Sequence, residues 1–116
     1  MKSKAVTENI IQSVQLKPFQ NIKNIGNILG QEYSIDILFH LSTEPMRYSQ
    51  IKKLLRCTDN TLSRRLGKLL DYDIIRKLPV SFGTRTGYEY TITNLGQELI
   101  RFFRKFEHKK NSKGER

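Results

Sequence analysis

The strongest constraint on this chain is the run SQIKKLLR, Cys57-Thr58, DNTLSRRLGKLLD, residues 49–71. Two apolar patterns of helical period are separated there by only the short turn 56–58. So short a connection makes two short helices meet at a steep angle and share one core. Ser49 is the expected cap of the first helix, with Ile51, Leu54 and Leu55 inside. Thr58 suits the N-cap of the second, and Asp59 suits its positive end. The second helix is therefore expected over 59–71.

The flanking segments complete a pattern. YSIDILFHL (33–41) is apolar nearly all round and reads as a central helix that STEPM (42–46) ends. After 71 come two β-rich runs, 74–80 and 88–93, around the Gly- and Thr-rich loop 81–87. They read as a hairpin with a long tip, and Pro79, lacking an N–H, belongs at an edge or bulge. Thr93 caps a last helix carrying Leu95, Leu99, Ile100, Phe103 and Phe106. Three helices, a hairpin and a helix form a mainly α fold with a small β-wing (α+β). This is a winged helix-turn-helix with extra N- and C-terminal helices.

The ends carry more apolar surface than this small core can cover. On the N-terminal side the stripe is Val6, Ile10, Val14, Phe19, Ile22 and Ile25; on the last helix it is Leu99, Phe102, Phe103 and Phe106. Exposed stripes of that size mark an interface, and a homodimer is expected. The expected organisation is a helical arm over 1–30, a core over 31–93, a second pairing helix over 94–108 and a basic flexible tail over 109–116. Gly30 is the expected stop of the arm.

Charge then indicates a partner. The chain holds 21 Lys+Arg against 11 Asp+Glu, a net +10 in 116 residues. Such an excess favours a polyanion, double-stranded DNA before an anionic membrane. On a wheel of about 100° per residue, Leu62, Leu66, Leu69 and Leu70 face the core. Asn60, Arg64, Gly67 and Asp71 lie opposite, with Thr61, Ser63 and Lys68 on the flanks. Asn60, Thr61, Ser63 and Arg64 are the candidates for base contact, because amide, guanidinium and hydroxyl groups match base edges. Arg65 leaves nearer the core border, its stem along apolar surface. Arg65 joins Arg47, Ser49, Lys52, Lys53, Lys68, Arg76, Lys77 and Arg85 as phosphate candidates. Arg56 lies beside Lys52 and Lys53 on the same helix. Arg85 stands at the expected wing tip, suited to the minor groove or adjacent phosphates.

Other chemistry finds little purchase. No Ser/His/Asp set, phosphate loop, H-E-x-x-H or G-x-G-x-x-G pattern is present, so an enzyme is not expected. Neither a cofactor nor a metal is expected: Cys57 stands alone and the zinc spacings are missing. Cys57 reads as a small residue packed under the turn, and His40 as a boundary residue of its helix. No apolar run approaches membrane-spanning length, and MKSKAVTENIIQ lacks the apolar stretch of a secretory signal. These features fit a cytoplasmic, nucleoid-associated protein. Two other readings stay open: a sequence-tolerant architectural DNA protein, and a winged helix used for protein contact.

Taken in order, ILGQEYSIDILFHL, EPMRYSQIKKLLR, TDNTLSRRLGKLLDYDIIRK and YEYTITNLGQELI resemble the HxlR-type winged-helix transcription regulators, relatives of the MarR-type proteins. The resemblance spans Ile28 to Ile100. It implies a dimer paired through terminal helices, with each third helix in a major groove. It also implies a small strand near Arg47-Tyr48 that joins the wing. Tyr33 stands where many members have tryptophan, and the N-terminal cysteine that many use for sensing is missing.

Overall fold

A computed structural model describes residues 20–114, with side chains described for 20–107. Val6, Ile10, Val14 and Phe19, expected on the pairing stripe, lie outside these residues. The described part of the arm is α1 (20–29), which ends in a turn at Gly30. Its Ile28 and Leu29 are buried and Ile25 packs against the core, so the end of the arm belongs to the folded body.

The next helix, α2 (Ser34–Thr43), supplies the centre with Ile37, Leu38 and Leu41. It continues through Ser42 and Thr43 before ending at Glu44, and both hydroxyls bond back to carbonyls three residues earlier. The third, α3 (Tyr48–Leu55), starts one residue before the expected cap at Ser49. Arg47 is the N-cap, and its backbone N–H donates to Gln50 Oε1 at 2.8 Å. Leu54, expected inside, is 51% exposed, while Ile51 is buried and Leu55 half-buried. Ile51 and Leu55 are four apart and share the inner face, which turns Leu54 to the flank.

Arg56 takes the left-handed conformation (φ 55°) and makes the turn into α4 (Asp59–Asp71), whose bounds match the expected helix. Thr58 caps α4: its Oγ1 accepts from the Thr61 N–H at 3.2 Å. Leu62, Leu66 and Leu69 are buried, and Leu70 is half-buried beside them.

The wing is a two-stranded antiparallel sheet of β1 (Ile75–Phe82) and β2 (Arg85–Ile92). The expected seven-residue tip is instead a two-residue turn, Gly83-Thr84. Gly83 adopts φ 66° at the first turn position, as tight hairpins of type II′ require, so the ladder continues to Phe82↔Arg85. Pro79 pairs with Tyr88 without a bulge, as an edge residue. The strand implied near Arg47-Tyr48 is a single bridge one residue earlier. Met46 and Tyr90 exchange N–H···O bonds of 3.0 and 2.7 Å, and Tyr48 already belongs to α3.

The last helix, α5 (Asn94–Gly114), extends past the expected end at 108 into the segment expected to be a flexible tail. No proline interrupts this segment, so no backbone N–H is missing from the helical ladder there. Thr93 fastens its start. Its Oγ1 donates to the Asp73 and Ile74 carbonyls (2.7 and 2.9 Å) and accepts from the Gly96 N–H at 3.1 Å. One buried hydroxyl therefore ties the end of α4, the exit of the wing and the first turn of α5. Ser34 Oγ, by contrast, is buried with no hydrogen-bond partner.

Candidate nucleic-acid interface

The site is the outer face of α4 together with what α3 and the wing place beside it. Its leucine-backed inner face pins α4 to the core, and the rest of its circumference faces solvent. Asn60, Ser63, Arg64 and Lys68 are exposed and Thr61 is half-buried. Among the described residues, no hydrogen bond or ion pair engages the Asn60 or Arg64 side chain. The Thr61 hydroxyl accepts from Thr58 Oγ1 at 3.0 Å, so part of its capacity is used in the cap.

The two adjacent arginines have different surroundings. Arg65 is half-buried and its Nε donates to the Glu32 carbonyl at 2.8 Å. That bond ties α4 to the turn joining α1 and α2, where Tyr33 is held in the left-handed conformation (φ 73°). Arg64 has no such tie. It shares an open groove of about 310 Å³ with Gln31, Gly67, Lys68 and Asp71, and Arg65 forms part of the same wall.

At the start of α4 a polar cluster forms that helical spacing does not reveal. Tyr48 OH donates to Asp59 Oδ1 at 2.9 Å and lies 3.3 Å from Ser63 Oγ. Lys52 Nζ reaches the same Asp59 oxygen at 3.0 Å. The Lys52 ammonium and then the Tyr48 hydroxyl hold the Asp59 carboxyl below the usual carboxylate range, and Asp59 in turn raises Lys52. Lys52 is thus bound to an acid, whereas Lys53 and Ser49 on α3 are exposed.

On the wing, Arg76 pairs with Asp73 at 3.2 Å. Lys77 lies over the Tyr88 ring, 4.7 Å from its centroid, and Arg47 lies over Phe82 at the same distance. Gly87 makes room for Phe82: a Cβ there would stand 2.9 Å from the ring. Arg85 is exposed beside the turn, as the first residue of β2 rather than inside a long loop. Tyr48, Asp59, Phe82 and Tyr88 were not among the expected site residues. Their partners lie on other elements, and the only local hint was an acid next to a basic helix.

Away from this face, Phe102 and Phe106 are 53% and 52% exposed and pack edge to face at 4.9 Å between ring centroids. Ile22 is 65% exposed, while Ile25, Leu99 and Phe103 pack partly against the core. Cys57 is buried. Among the described residues no helix is long and apolar enough to cross a membrane, and no cluster of His, Cys, Asp and Glu is arranged for a metal ion.

A three-helix core, a short turn before α4 and a β-wing after it define a winged helix-turn-helix protein. The HxlR-like helix-turn-helix family model matches residues 28–115, and the chain belongs to that family. Its fold is shared with solved transcriptional regulators. No curated protein matches its sequence. Among solved structures, the reduced form of the transcriptional regulator YodB from B. subtilis is similar at 22% identity and TM-score 0.68, over 74% of this chain and 84% of that one. A MarR-family transcriptional regulator from Enterococcus faecalis V583 aligns with TM-score 0.71 at 16% identity, over 87% of this chain and 88% of its own. A transcriptional regulator homologue from Pyrococcus horikoshii OT3 aligns with TM-score 0.62 at 25% identity, over 80% and 96%.

Proposed function

We propose that this protein is a homodimer that binds duplex DNA sequence-specifically and regulates transcription in the cytoplasm. In this reading α4 enters the major groove, and the wing lies on the adjacent minor groove and backbone. Residues 31–93 are the DNA-binding part; the arm and α5 pair the copies. A two-fold pair sets its recognition helices about 34 Å apart on a palindromic site.

The observation that carries the reading is the state of Arg64 and Asn60. Both stand exposed on a helix whose opposite side is locked by buried leucines, and no described residue engages either side chain. A guanidinium and an amide held free at this spacing match guanine and adenine edges. The ion-paired and ring-stacked cations Arg76, Lys77 and Arg47 can exchange those partners for phosphate at little cost, while Lys52 stays with Asp59. Arg65 serves chiefly as the tie to Glu32, with its terminal nitrogens left for phosphate.

Selection of binding sites from random DNA at fixed salt is the direct test. Replacing Arg64 with alanine is expected to weaken the selected site by about 1–3 kcal/mol and to relax one position in it. Equal losses on selected and random DNA would remove Arg64 as a base reader. Arg85→Ala is expected to weaken every sequence alike and to make the salt slope shallower by about one. An unchanged slope in a titration from low to moderate salt would take Arg85 off the backbone.

A further inference from the structure

Asp59 is an exposed acid in the first turn of the helix proposed to meet a polyanion, and repulsion makes that a poor place for a carboxylate without a use. Serving the positive end of α4 is one use, and any exposed acid in the first turn would do that. The geometry here is more specific. Asp59 Oδ1 is held from two sides, by Tyr48 OH at 2.9 Å and by Lys52 Nζ at 3.0 Å. Both donors come from α3, so the carboxylate is fixed across the helix-turn-helix rather than free to rotate. Its side chain is nevertheless 68% exposed, and both contacts are to Oδ1, so no described side chain engages the second oxygen. Lys52 balances its charge, which lowers the cost of bringing it near phosphates. Exposed Asn60 follows it, and the same Tyr48 hydroxyl lies 3.3 Å from the Oγ of exposed Ser63, one turn further along α4.

We infer that Asp59 is a specificity-determining residue that selects cytosine in the major groove, with Tyr48 and Lys52 as its positioning residues. This rests on the proposed insertion of α4 into that groove. Of the four bases, cytosine presents an N4 amino donor there with no acceptor of its own beside it. Adenine places its N7 acceptor next to its amino group, guanine offers two acceptors, and thymine an acceptor and a methyl. A fixed, deprotonated acceptor therefore favours cytosine and opposes guanine and thymine.

The test compares sites selected from random DNA by the full chain and by Asp59→Asn, at one stated salt concentration. The wild type is expected to require cytosine at one position of each half-site. Asn at 59 keeps the size and can still accept from Tyr48, but it also offers a donor. It is expected to lose about tenfold in affinity for the cytosine site and to shift that one position toward adenine, other positions unchanged. Selection of the same base at every position by both proteins overturns the inference, even if the variant binds more weakly throughout, because a role confined to starting α4 would give that result. A wild type that selects no sequence overturns the reading of α4, and this inference with it. A wild-type site lacking cytosine, but still dependent on Arg64, overturns the Asp59 inference alone.

Discussion

Gly96→Ala is expected to destabilise the protein by about 2–4 kcal/mol and to lower its thermal midpoint by roughly 10–20 °C. Local propensity favours the opposite outcome, since alanine is the better residue inside a helix by about 1 kcal/mol. The tertiary environment decides against it. A Cβ at Gly96 would stand 2.5 Å from the Ile74 carbonyl oxygen and 2.5 Å from Ile92 Cγ1. The first obstacle is backbone, held by Thr93 hydrogen bonds at the junction of α4, the wing and α5, so nothing there can give way cheaply. Gly67 is the internal control. It lies within α4, and a Cβ there meets nothing within 4 Å. Gly67→Ala is therefore expected to raise stability by about 0.5–1 kcal/mol. Thermal or urea unfolding of the two variants should move in opposite directions. A Gly96→Ala protein as stable as wild type would contradict the packing described for α5.

The second large effect concerns pairing. A double Phe102→Glu, Phe106→Glu variant is expected to be monomeric by sedimentation and to lose at least about a hundredfold in affinity for a palindromic site. The two rings are half exposed and packed edge to face, and they share the pairing role proposed for Ile22. Four buried glutamates per dimer would be desolvated without partners, which no dimer of this size can absorb. Affinity for a single half-site should change little, because α4 and the wing are untouched. A double variant that remains dimeric would place the interface elsewhere and leave these phenylalanines as exposed surface.

The α4 helix was legible in the sequence to its end residues, because its signals are all local: a threonine cap, an acid in the first turn and leucines at helical spacing. The difference between Arg64 and Arg65 was legible for the same reason, since 100° per residue separates neighbours on any helix. The partner of Arg65 was not. The Glu32 carbonyl lies 33 residues away in sequence, and only the packing of α4 against the α1–α2 turn brings it to 2.8 Å. The hairpin tip is shorter than expected because Gly83, Thr84 and Gly87 read together as a loop, whereas only Gly83-Thr84 turn and Gly87 pairs with Val80 inside the ladder. The start of α3 moved because Gln50 bonds back to Arg47, which competes with the cap preference of Ser49.

By itself, then, the sequence determined the order of elements, the inner face of α4 and the basic character of the surface. These follow from periodicity, capping chemistry and charge, which act over a few residues or over the whole composition. Tertiary structure alone decided which cations are free and which are paired, why position 96 must be glycine, and how Asp59 is gripped between Tyr48 and Lys52. Those are contacts between elements, and no periodicity along one chain segment carries the distance to another.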